Sequence, residues 1–91
     1  MRYHKVINKR IYELCAKHDM SITKLAVTAN IRPTTLHNIM LNKATTNPKL
    51  DVLHKIAFVF NMTLAEFLDS PEIEQIAIDY FDELNDPTKR R

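Results

Sequence analysis

An all-α fold is what this 91-residue sequence predicts, and three observations carry the prediction. Apolar residues recur at three- and four-residue intervals along the chain, and no stretch alternates as a half-buried strand does. Helix starts and stops stand between those stripes: Ser21, Thr63 and Ser70 at cap positions, Pro33, Pro48 and Pro71 at first turns, Asp19, Asn30, Asn42 and Asn61 at ends. The chain also contains no glycine. Its helix ends must therefore use the side chains that best tolerate a left-handed residue after glycine, which are Asn and Asp.

The first helix is expected over residues 3–18, with Ile7, Ile11, Leu14 and His18 on one face and Lys9, Arg10, Glu13 and Lys17 mostly away from it. Asp19 ends it. Ser21 caps a short second helix whose Leu25 and Ala26 turn inward, and Asn30 stops it. Pro33 opens a third helix, because its missing N–H has no intrahelical partner and its φ is already helical. Leu36, Ile39 and Met40 form the inner stripe of that helix; Thr34, Thr35, His37, Asn38 and Leu41 are left outside. Met20 with Leu25, and Ile31 with Leu36, have the spacing of hydrophobic staples, which fix how the chain approaches each helix.

Asn47-Pro48 reads as cap and first position of a fourth helix over residues 48–60, with Leu50, Leu53, Ile56, Ala57 and Phe60 inside. Its end is apolar all round, so Phe58 and Val59 require cover from elsewhere. Thr63-Leu64-Ala65-Glu66 is a capping box, with Met62 and Phe67 as its staple, and starts a short fifth helix. Ser70-Pro71-Glu72 starts a sixth, whose stripe is Ile73, Ile76, Ala77, Tyr80, Phe81 and Leu84. Asn85-Asp86-Pro87 ends it.

Residues 21–41 thus hold two short helices joined by about four residues. That is the helix-turn-helix arrangement, whose second helix can lie in a DNA major groove. Charge is divided to match. Residues 1–62 carry ten Lys and Arg against three Asp and Glu; residues 63–91 carry three against eight. A basic part holding the helix-turn-helix suits a polyanion, and an acidic part without it does not.

Other classes find little support. Ninety-one residues bury one modest core. No apolar run is long enough to span a membrane, and the first ten residues lack a signal-peptide core. The single Cys15 has no internal disulfide partner, which suits a reducing cytoplasm. His4, His18, His37 and His54 are too scattered for a metal site, and no nucleophile–base pair or phosphate-cradling glycine loop is present. The sequence therefore predicts no enzyme, no cofactor and no metal.

On these residues the chain resembles the Xre/Cro-type, lambda-repressor-like helix-turn-helix regulators of bacteria and phages. The shared motifs are R-I-x-E-L at residues 10–14, M-S-I-T-K-L-A at 20–26, N-I-R-P-T-T-L-x-N-I at 30–39, N-P-x-L-x-x-L-x-K-I-A at 47–57 and M-T-L-A-E-F-L at 62–68. The resemblance implies a five-helix DNA-binding domain over residues 1–69, with the acidic sixth helix and tail at 70–91 added to it. It implies operator binding as a homodimer, usually to repress. Where relatives commonly have glycine at helix ends, this chain has Asp19, Asn30, Asn42 and Asn61. Ile22 stands where many relatives place a phosphate-anchoring Gln. Met40 stands where some have an acidic partner for Arg10.

Carried onto this sequence, the family's scheme makes Pro33, Thr34, His37 and Asn38 the base-reading residues and Thr23, Arg32, Thr35, Lys43 and Thr45 the phosphate ligands. The chemistry agrees: Asn38 can pair with adenine N7 and N6, Thr34 can meet a base edge or thymine methyl, and Arg32 can fork onto phosphate. Phe58, Val59, Ile73, Ile76, Tyr80, Phe81 and Leu84 are the expected dimer surface. The alternative is an antitoxin or other protein-interaction module that uses the sixth helix, with DNA binding secondary.

Overall fold

The computed structural model describes residues 3–41 and 48–86, which form six helices: α1 Tyr3–Lys17, α2 Ile22–Thr28, α3 Pro33–Met40, α4 Leu50–Val59, α5 Leu64–Leu68 and α6 Pro71–Leu84. No strand occurs among the described residues, and none of these helices is long and apolar enough to cross a membrane. α2 packs on α3 and on α4, α1 lies against both members of the α2–α3 pair, and α4 packs on α5. Ile11, Leu25, Leu36, Ile56 and Phe67 close the centre, all fully buried. Side chains of this size contribute about 1.5–3 kcal/mol each when taken out of water. Cys15 is buried with them, and burial pushes its thiol pKa up.

Three of the helix ends are built the same way. Asp19, Asn30 and Asn61 all have positive φ, at 51°, 56° and 57°. After α1, the Met20 N–H reaches back to the Cys15 carbonyl at 2.9 Å; after α2, Ile31 reaches Ala26 at 2.8 Å; after α4, Met62 reaches Ala57 at 3.0 Å. The N–H of each left-handed residue bonds the next carbonyl along: Ala16, Val27 and Phe58. This is the Schellman arrangement, which satisfies carbonyls that a helix end leaves without partners. The apolar residue that completes each stop sits just before the N-cap of the next helix: Met20 before Ser21, Ile31 before Arg32, Met62 before Thr63. One side chain thus closes one helix and staples the next. Ile31 is buried in the core, and Met20 and Met62 pack half-buried against it. The sequence expectation for these three positions holds; Asn42 lies outside the described residues.

Three expectations need correction. Leu50 is not part of the α4 stripe: it is the first residue of the helix and 64% exposed. Helix periodicity selected it, but α4 starts later than predicted, with Lys49 at the N-cap position and Pro48 before it, so its first turn overhangs the core. Asn47, the predicted cap, lies outside the described residues. His18 follows α1 and is solvent-exposed, its ring held against Phe60 with centroids 5.0 Å apart. Val59 needs no cover from elsewhere, because it packs half-buried on its own core, whereas Phe58 is 81% exposed. α6 does not cover Phe58.

α6 stands apart. It packs against α1, and none of its residues is buried. Ile73, Ile76 and Ala77 are half-covered, while Tyr80, Phe81 and Leu84, on the same stripe further along, are exposed. The radius of gyration is 15.0 Å and the long axis 48 Å; a compact domain of this length would have a radius of about 12 Å.

Candidate nucleic-acid interface

α3 is held from beneath. Leu36 and Met40 are buried and Ile39 is half-buried, which leaves Arg32, Pro33, Thr34, Thr35, His37 and Asn38 on the exposed side. Pro33 occupies the first helical position, and Arg32 takes the N-cap place without a capping side-chain bond. Arg32 itself is exposed. Thr34 and Asn38, four residues apart, share one face and lie a helical turn from each other. Leu41, which follows α3, is also exposed.

Two polar contacts fix α3 in place, and sequence reasoning anticipated neither. The buried Asn8 of α1 donates from Nδ2 to the Ile39 carbonyl at 2.9 Å, tying the last turn of α3 to α1. His4, Asn8, Ile11 and Cys15 are all buried at core spacing on α1. A polar residue in such a row is the signal that could have revealed this role. The second contact joins the helices of the pair: Thr23 Oγ1 and His37 Nε2 share a hydrogen bond of 3.1 Å. His37 was expected to read bases, and Thr23 to hold phosphate. The structure brings the two together across the turn. Ser21 caps α2 as predicted, its Oγ accepting the Lys24 N–H at 3.0 Å. Ile22 is half-buried against the core, so its side chain serves packing. Lys43 and Thr45 lie outside the described residues.

Neighbours of Asn8 on α1 tie down the far side. Arg10 donates from Nε to the Phe67 carbonyl at 3.1 Å and from Nη2 to the Glu66 backbone carbonyl at 3.3 Å. It thereby closes the end of α5, an anchor it finds in place of the acidic partner seen in some relatives. Lys9 reaches Glu72 at the start of α6 at 2.9 Å, and Glu13 more weakly at 3.9 Å. The hydrogen bond to Glu72 is the main cause that raises the Lys9 pKa. Three consecutive residues of α1 therefore connect α3, α6 and α5. Among the described residues no group of His, Cys, Asp and Glu is placed to hold a metal ion.

An exposed polar helix, seated on a buried stripe and locked to a shorter helix before it, defines a helix-turn-helix DNA-binding domain. The chain belongs to the Cro/C1-type helix-turn-helix DNA-binding domains, whose family model matches residues 10–72. Its fold is similar to that of a chain in the complex of the SinR protein with the SinI protein, with a TM-score of 0.60 at 24% identity over 91% of this chain and 85% of that one. No curated protein matches the sequence at a significant level.

Proposed function

We propose that this chain is a sequence-specific transcriptional regulator that reads operator DNA in the major groove with the helix starting at Pro33, and that it acts as a repressor by occupying its site. The observation that carries this is the outer face of α3, where Thr34 and Asn38 are exposed above the buried Leu36 and Met40. Asn38 pairs with an adenine edge, Thr34 meets a base edge or thymine methyl, and Pro33 gives apolar contact. Arg32, Thr35, Thr23, Lys43 and Thr45 hold phosphates and set the register. Residues 1–69 form the DNA-binding part and residues 70–91 the assembly part; the cytoplasm is where such a protein meets its DNA.

The regulator works as a homodimer. Tyr80, Phe81 and Leu84 extend the α6 stripe beyond the half-covered Ile73 and Ile76, and Phe58 is bare on α4. A second copy covers them. Two-fold pairing presents two recognition helices to half-sites about 34 Å apart. A second reading has its own support. α6 carries five carboxylates and no cation, so a partner protein with a basic, apolar groove would also fit it, and the similar fold comes from a complex with another protein.

The division of labour is tested on a duplex selected for binding and on random duplex. Asn38→Ala should cost about 1–3 kcal/mol on the selected duplex and relax preference at one base position. Lys43→Ala should weaken both duplexes alike and shallow the salt dependence by about one unit. Equal effects of the two changes on both duplexes would refute the assignment.

A further inference from the structure

We infer that His37 is a positioning residue, one that sets the Thr23 hydroxyl for a DNA phosphate rather than reading a base itself; the inference rests on the DNA-binding reading above. Thr23 Oγ1 and His37 Nε2 lie 3.1 Å apart and link the first turn of α2 to the middle of α3. Both residues are exposed, on the corner where the two helices meet. The chemistry of the pair follows from proton counting. A threonine hydroxyl has one proton and two acceptor lone pairs, and a phosphodiester oxygen can only accept. Thr23 therefore serves a phosphate only by donating its proton outward.

His37 decides whether that proton is available. With hydrogen on Nε2, the imidazole donates to Thr23 Oγ1, and the hydroxyl is free to donate onward. The result is a chain from N–H to O–H to phosphate oxygen, in which each bond polarises the next. With hydrogen on Nδ1 alone, Nε2 accepts the Thr23 proton and the hydroxyl has none to give. DNA binding thus selects the ring form that carries hydrogen on Nε2. The same bond commits that nitrogen to Thr23, so it does not meet a base edge. It also fixes α3 against α2, which keeps the phosphate contact and the reading face of Thr34 and Asn38 at a constant separation.

The test is a double-mutant cycle in the full chain, read by titration into a fluorescent duplex of random sequence across a series of salt concentrations, with thermal melts to establish that each variant is folded. Thr23→Val should weaken binding about three- to tenfold, the loss expected for one hydrogen bond. His37→Ala should lose a smaller factor alone, since the hydroxyl keeps its proton but not the partner that orients and polarises it, and nothing further in the Thr23→Val background. His37→Gln, which presents an N–H donor, should recover most of the loss. The salt slope should be unchanged throughout, since no cation on phosphate is removed. Multiplicative losses in the double variant, a shallower slope for His37→Ala, or an effect of His37→Ala confined to one selected sequence would each overturn the inference while leaving the DNA-binding reading intact. Failure of the unaltered protein to bind any duplex would overturn both.

Discussion

α3 and α6 carry similar apolar stripes and meet opposite fates. On α3, Leu36 and Met40 are buried; on α6, nothing is. Every buried hydrophobic among the described residues lies between Val6 and Phe67. The difference is one of neighbours. α3 is enclosed by α1 and α2, while α6 meets α1 after the core is already closed by Phe67. A helical period reveals which face of a helix is apolar, but not whether the chain itself supplies the cover. In α3 the covered stripe leaves the opposite face exposed, the face proposed above to meet DNA. In α6 the outer part of the stripe stays exposed at Tyr80 and Phe81, the part proposed above to meet a second copy.

That contrast makes predictions of decreasing size for stability. Phe67→Ala, at the fully buried floor of the core, should cost about 3–5 kcal/mol and leave the chain largely unfolded, as chemical denaturation would reveal. Next come the left-handed stops. Asn30 at φ 56° should accept Gly without loss, whereas Asn30→Val should destabilise by ~1 kcal/mol or more; equal thermal melts for the two variants would contradict the role of that residue.

The α5 cap ranks alongside. Thr63 Oγ1 accepts the Glu66 N–H and Glu66 Oε1 accepts the Thr63 N–H, both at 3.0 Å. Thr63→Ala should cost about 1 kcal/mol. The bond from the Thr63 N–H is the main cause that lowers the Glu66 pKa below its ordinary 4.5. A carboxyl lowered on folding stabilises above its unfolded value, and that contribution is lost as pH falls through the folded value. Glu66→Gln should therefore flatten the acid side of the stability curve just below pH 4.5, checked by denaturation at a series of pH values.

The smallest effect on folding is expected from α6. Tyr80 and Phe81 are each 58% exposed, so the double change Tyr80→Ser, Phe81→Ser should alter monomer stability by no more than about 0.5 kcal/mol. It should nonetheless abolish self-association at micromolar concentration, read by sedimentation. A variant that still dimerises would remove α6 from the interface.

Much of the fold was legible because the punctuation is local. Asp19, Asn30 and Asn61 are side chains with few other reasons to stand between helical stripes, and Thr63 with Glu66 is a capping box readable from four residues. Leu50 misled because its spacing fits the stripe, and only the later helix start leaves it in solvent. The site was legible in part. Which residues of α3 face outward follows from its period. The contacts that hold α3 do not, because Asn8 meets Ile39 across 31 positions and Thr23 meets His37 across 14. Such pairs depend on how helices cross, which no local pattern encodes.

Selection of bound sequences from a pool of random duplexes, using the full chain, tests the central claim most directly. A two-fold operator reader should enrich an inverted repeat whose half-sites are centred about 34 Å apart along the duplex, and Asn38→Ala should lose preference at one position in each half. A pool that stays random after repeated selection, or the same enrichment with Asn38→Ala, would contradict it.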